Sequence, residues 1–169
     1  MKTIGMLGGL SWVSSLRYYQ IINQGIFSAV GGHHSAKIIM NSVNSHELVT
    51  LLKNSANWEK NIPEFIIPEV KKIEESGADF VIMCCNTVHK IANEVENNIN
   101  IPLLHIVDSI ADKINQKGYN KIGLIGSKNT MEDEFYKNRL FRNNVKDIIT
   151  PNESDKNLII NIIYDELVF

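Results

Sequence analysis

Five apolar residues, Phe80-Val81-Ile82-Met83-Cys84, follow the turn signal Gly77-Ala78-Asp79 and run directly into Cys85-Asn86-Thr87. A continuous apolar run of this length, bounded by a turn, predicts a strand buried on both faces. Polarity then changes at once. Asn86 and Thr87 are good N-cap residues, and Val88, Ile91, Ala92 and Val95 recur at helical spacing, so a helix is expected within a residue or two of the strand. A strand buried on both faces that hands over to a helix constrains the fold strongly, because such strands belong to parallel sheets covered by helices.

Cys85 therefore stands at a strand's carboxyl end beside a helix start. At that edge of a parallel α/β sheet, free N–H groups and the positive end of a helix dipole converge on ligands. The same features favour a thiolate, so Cys85 is expected to have a lowered pKa and to be reactive. Cys84 points to the opposite strand face and reads as a small buried hydrophobe.

The remaining sequence alternates strand and helix patterns. Thr3 to Leu7 forms a first strand closed by Gly8-Gly9-Leu10-Ser11-Trp12, where a glycine pair lets main chain approach a ligand and leaves N–H groups free. A plain tight turn is one alternative there and a dinucleotide site a weak rival, since Gly5, Gly8 and Gly9 do not give GxGxxG and no acidic residue ends the next strand. Ser14 or Ser15 is expected to cap a helix running to about Val30. A second strand, Ala36 to Met40, leads to the polar Asn41-Ser42-Val43-Asn44-Ser45-His46 at the same sheet edge. Helices are expected over 47–53 and 63–76, with Trp58 in a loop between them and Pro68 as a kink. Pro102 to Ile106 reads as another strand, with Asp108 or Ser109 capping a helix that stops at Gly118. This alternation predicts an α/β fold, a parallel sheet flanked by helices.

Lys121-Ile122-Gly123-Leu124-Ile125-Gly126-Ser127 echoes Thr3-Ile4-Gly5-Met6-Leu7-Gly8-Gly9, a strand followed by a glycine turn in each case. Two lobes are accordingly expected, 1–107 and 108–169, the second incomplete, since the counterpart of Cys85 would fall beyond Phe169. Thr130-Met131-Glu132-Asp133 reads as a capping box opening a helix to Arg142, followed by a strand near 147–150. The apolar run from Leu158 to Phe169 reads as a helix needing a cover, so another chain is expected to cover it or the sequence is a fragment.

The formal net charge of −2 supplies no basic surface, which argues against nucleic acid and anionic membrane as partners. The two cysteines are adjacent, giving neither a disulfide framework nor a CxxC metal pair, in keeping with a reducing cytoplasm. His33, His34, His46 and His105 show no ligand spacing, so no metal is expected. His89 lies one turn beyond Cys85, where it either tunes the thiol, binds substrate, or simply packs in the core.

Three segments, KTIGMLGGLSW, CCNTVHK, and TMEDEFYKNRL followed by IIYDEL, resemble the aspartate/glutamate racemase family, most closely its broad-specificity amino-acid racemases. The resemblance extends along the whole chain. It implies a pseudo-symmetric two-lobe α/β fold with the active site between lobes, each lobe supplying one cysteine, and catalysis without pyridoxal phosphate or other cofactor. One thiolate would remove the α-proton and a thiol on the opposite face would return one. Cys85 matches the first-lobe catalytic cysteine, while Asn86 and Thr87 match residues holding the substrate's carboxylate and amino groups. Gly9, Ser11 and Trp12 match first-loop substrate contacts. A homodimer acting on a small amino acid or dicarboxylate in the cytoplasm is implied, inactive as printed because the second-lobe cysteine is missing. Hydantoin racemase or maleate isomerase chemistry, or a non-catalytic chain binding carboxylates or a partner, are the alternatives. Ser45-His46-Glu47-Leu48 stands where some aspartate racemases carry an arginine, so a preference for an acidic side chain does not carry over from the resemblance.

Overall fold

A computed structural model describes residues 1–54 and 58–167 of the 169-residue chain. Two compact units divide it, Met1–His105 and Ile106–Phe169.

The first unit is built on a parallel three-stranded sheet of order β2-β1-β3, where β1 is Thr3–Gly8, β2 is Lys37–Ser42 and β3 is Phe80–Met83. Ile4 pairs with both Ile38 and Phe80, and Leu7 with both Asn41 and Met83. Thr3 and Asp79 lock the start of this register, the Thr3 N–H donating to the Asp79 carboxylate at 2.6 Å and the Asp79 N–H to the Thr3 carbonyl at 2.9 Å. Because successive side chains alternate across a strand, each strand feeds two cores. Met6, Ile82 and Cys84 pack with Tyr18 and Ile22 of α1, Trp12–Val30. Leu7, Val81 and Met83 face the other way, onto Ile62, Ile66, Val70 and Ile73 of α3, Trp58–Glu75. Leu48 of α2, Ser45–Asn54, joins this second core. Full burial of each such aliphatic side chain contributes about 1.5–3 kcal/mol relative to exposure. Gly5 permits the close packing, since a Cβ there would run into Ile73.

Several boundaries differ from the sequence expectation. The α1 cap is Ser11, which accepts the Ser14 N–H at 3.3 Å, not Ser14 or Ser15. Trp58 is not in a loop but opens α3, which runs through both Pro63 and Pro68; buried Ile62, Ile66, Val70 and Ile73 offset the lost helical hydrogen bonds. The segment Pro102–Ile106 is reduced to one parallel bridge, Val81 with Leu103, fixed by Val81 N–H to the Pro102 carbonyl and Leu104 N–H to the Val81 carbonyl, both 2.9 Å. Ile106 already belongs to α5, Ile106–Gln116, so neither Asp108 nor Ser109 caps it.

The second unit pairs β4, Lys121–Gly123, in parallel with β5, Asp147–Ile149. Val107, Ala111 and Ile114 of α5 pack with Tyr136 and Leu140 of α7, Glu134–Arg142, and with Leu124 and Val145. Arg139 Nε and Nη2 fork onto the two Asp108 carboxylate oxygens at 2.7 Å each, tying α7 to α5. The predicted single helix from Thr130 is divided. Ser127 precedes the short α6, Lys128–Glu132, and extended backbone at Asp133 separates it from α7. Asn152 caps α8, Glu153–Asn161, and a π-helical turn covers Ile162–Leu167. Leu158, Tyr164 and Leu167 are exposed, and the expectation for residues 168 and 169 lies outside the described residues.

Candidate active site

The sheet register determines where the site forms. Leu7 pairs with Met83, so the Gly8-Gly9 turn after β1 lies beside Cys84-Cys85 after β3, and Ser42 at the end of β2 is paired with Gly8. Three strand ends thus open onto one edge.

Serine hydroxyls from the first turn of α1 hold this edge together. Ser14 Oγ donates to the Cys84 carbonyl at 2.9 Å. Buried Ser15 Oγ accepts the Gly9 N–H at 2.9 Å and donates to the Ser11 carbonyl at 2.9 Å. The Gly9 N–H, expected to be free for a ligand, is therefore occupied. Gly9 has φ +85°, and a Cβ there would collide with the main chain of Val43, whose N–H donates to the Gly8 carbonyl. Ser14 and Ser15 read as caps in sequence; the signal for their actual work is the 11-14-15 spacing, which puts three hydroxyls on the strand-facing side of one helical turn.

After β3 the chain does not enter an α-helix directly. Asn86 is itself helical in φ and ψ, with no side-chain capping bond, and a 3₁₀ turn spans Thr87–Ile91 before α4, Ala92–Glu96. Neither Asn86 nor Thr87 acts as the expected N-cap. Even so, the N–H groups of Val88 and Thr87 and the Thr87 hydroxyl, next along the chain, favour the charged form of the Cys85 sulfur. Each stabilises a thiolate, but burial outweighs them, and the Cys85 thiol is pushed above its ordinary range. The expected lowering is thus reversed. A buried charge in apolar surroundings costs more than three donors return.

Cys84 behaves as its strand position dictates. Packed with Met6 and Ile82 and 2% exposed, it has its pKa raised to about 12, first by burial and then by the neighbouring Cys85. Cys85 is half-buried and packs against the opposite core. Asn86 is exposed and Thr87 half-buried, so both offer polar groups to a ligand at the Cys85 edge. Trp12, 68% exposed, instead lines a groove with Ser15, Leu16, Tyr19, Met40 and Ser42, on the sheet face of α1. Ser11 caps α1 and Gly9 is buried at the turn. Among the described residues no cluster of three or more His, Cys, Asp or Glu side chains could hold a metal ion.

Residues 7–162 match the family model described as Asp/Glu/Hydantoin racemase. The chain belongs to that racemase family. A racemase-assigned protein of Yersinia pestis is 40% identical, superposes with a TM-score of 0.91, and is matched over 99% of this chain and 72% of its own. An aspartate racemase homologue from Pyrococcus horikoshii OT3 is 30% identical, with a TM-score of 0.82 and the same coverage. The broad specificity amino-acid racemase RacX of Bacillus subtilis (strain 168) is 29% identical over 84 residues, half of this chain. That match spans 36% of RacX, little more than a third of its length. These racemase relatives share the α/β architecture of parallel sheet and flanking helices described above.

Proposed function

We propose that this chain carries one acid/base half of a cofactor-independent amino-acid racemase, with Cys85 as the group that exchanges the substrate's α-proton. One observation carries the reading. At the strand edge of a racemase-family fold stands a half-buried thiol whose charged form is favoured by the N–H groups of Val88 and Thr87 and by the Thr87 hydroxyl. Such donors strengthen as the sulfur gains negative charge, which is when proton transfer needs them. Asn86 and Thr87 hold the substrate's carboxylate and amino groups, and the substrate's own ammonium charge then favours the thiolate that burial disfavours. From the first loop, Gly9 shapes the turn, its N–H being held by Ser15, while Ser11 and Trp12, the latter lining the groove beside this edge, complete the substrate contacts. The substrate is a small amino acid or dicarboxylate.

Inversion needs a second acid/base group on the far face of the α-carbon. The chain contains two cysteines, and Cys84 is committed to the opposite core, so residues 1–169 alone present one usable thiol. By this reading the chain by itself exchanges the α-proton with solvent but does not invert the centre efficiently. Reduced thiol chemistry fits a cytoplasmic setting. Exposed Leu16, Tyr19 and Phe27 on α1 suit pairing as a homodimer.

The test is incubation in D2O with a panel of L- and D-amino acids, following the α-proton by NMR and configuration by chiral chromatography. Deuterium uptake with retained configuration is expected. Rapid racemisation by the chain alone would contradict the one-thiol reading, and neither exchange nor binding of any substrate would contradict the assignment of the site.

A further inference from the structure

The 3₁₀ turn after Cys85 has a hydrogen-bond exchange at its centre. In an α-helix the main-chain N–H of residue 89 would donate to the carbonyl of residue 85. Here the His89 N–H donates to the Asn86 carbonyl at 3.1 Å instead, and the Cys85 carbonyl is bonded to His89 Nδ1 at 2.8 Å. A carbonyl oxygen can only accept, so Nδ1 carries the hydrogen. The imidazole has taken the place of its own main-chain donor. Its ring meets that of His105 edge-on, centroids 4.6 Å apart and planes at 64°, and both residues are almost fully buried, at 3% and 2% exposure. His105 is delivered there by the pairing of Pro102 and Leu104 with Val81 in β3.

From this exchange we infer that His89 is a positioning residue for Cys85: its Nδ1–H, seated on the Cys85 carbonyl and backed by the His105 ring, holds in the tight 3₁₀ form the turn whose first residues, Thr87 and Val88, stand next to the sulfur. Without that donor, the partly buried Cys85 carbonyl needs another partner, and the nearest is the residue-89 main-chain N–H. Recruiting it turns the segment toward α-helix and carries the Thr87 and Val88 N–H groups with it. The inference deepens the reading of Cys85 as the proton-exchanging group and rests on it, yet it concerns thiol chemistry that is measurable without turnover.

The chain itself shows which replacement should work. Asn23, Asn98 and Asn143 each donate Nδ2–H to the carbonyl four residues earlier, at 2.9 Å. His89→Asn therefore restores the same donor, whereas His89→Leu fills space without one. The experiment is the pH profile of iodoacetamide alkylation at Cys85, resolved from Cys84 by peptide fragmentation, in the full chain. Loss of one such hydrogen bond predicts alkylation about fivefold slower in His89→Leu at pH 7.5, with the profile moved to higher pH, and a return to within about twofold of wild type in His89→Asn. Equal rates in all three proteins would overturn the inference while leaving the role of Cys85 intact, and so would equal impairment in both variants. Should His89→Leu fail to fold, long-range 1H–15N correlation on the wild type decides: the Nδ1–H tautomer at His89 supports the inference and the Nε2–H tautomer overturns it.

Discussion

The Ser14 hydroxyl donates to the Cys84 carbonyl oxygen at 2.9 Å, joining positions 70 residues apart in sequence. This contact ties the first turn of α1 to the strand end from which Cys85 projects, so a helix start and the segment carrying the Cys85 thiol are held by one hydroxyl. Ser14→Ala removes the donor and leaves a part-buried carbonyl unpaired, which costs about 1 kcal/mol of stability. Urea denaturation should show a lower midpoint with unchanged slope. An unaltered midpoint would mean the bond contributes nothing to the edge.

Gly9 and Gly118 both have positive φ, at +85° and +69°, but only Gly9 has main chain where a Cβ would go. Alanine at position 118 meets open space and should cost about 1–2 kcal/mol from backbone strain alone. At position 9 it must also push Val43 aside, for a loss of about 3 kcal/mol or more. Thermal unfolding of the two variants checks this ordering, and equal losses would contradict it.

Cys84 makes stability pH-dependent on the alkaline side. In the unfolded chain its thiol ionises near its ordinary value of 9.0, whereas in the fold it holds its proton to about 12. Above pH 9 the unfolded state thus binds fewer protons than the native state, and stability falls as pH rises toward 12. Replacing Cys84 with alanine should lower stability at pH 7 through lost packing, yet flatten the decline above pH 9. Unfolding free energies at pH 7, 8.5 and 10 test this. A parallel decline in both proteins would assign the alkaline loss elsewhere.

Much of the frame was legible in the residues. The continuous run from Phe80 and the glycine-closed run from Thr3 became adjacent parallel strands, because a strand buried on both faces leaves little choice of environment. Alternation alone placed Cys84 and Cys85 in opposite cores. What escaped was decided by contacts distant in sequence. Ser11, Ser14 and Ser15 are all good caps, and only Cys84 and Gly9, supplied by another strand end and a turn, assign each hydroxyl its partner. Likewise Asn86-Thr87 looks like a helix start until His89 diverts the hydrogen bonding. The direction of the Cys85 pKa could not be read locally, since the apolar side chains that desolvate the sulfur come from several elements. Pro102 to Ile106 has the composition of a strand, but how many of its residues pair depends on the length of β3 beside it.

The central claim is that the Cys85 sulfur moves a substrate's α-proton. It is tested most directly by comparing solvent-deuterium incorporation at the α-carbon by wild type and Cys85→Ser, under identical conditions and with circular dichroism confirming that both are folded. A serine hydroxyl is a far weaker acid than a thiol, so exchange should fall by at least about 10²-fold, the usual contribution of a positioned acid/base group. Exchange by Cys85→Ser at the wild-type rate would contradict the account.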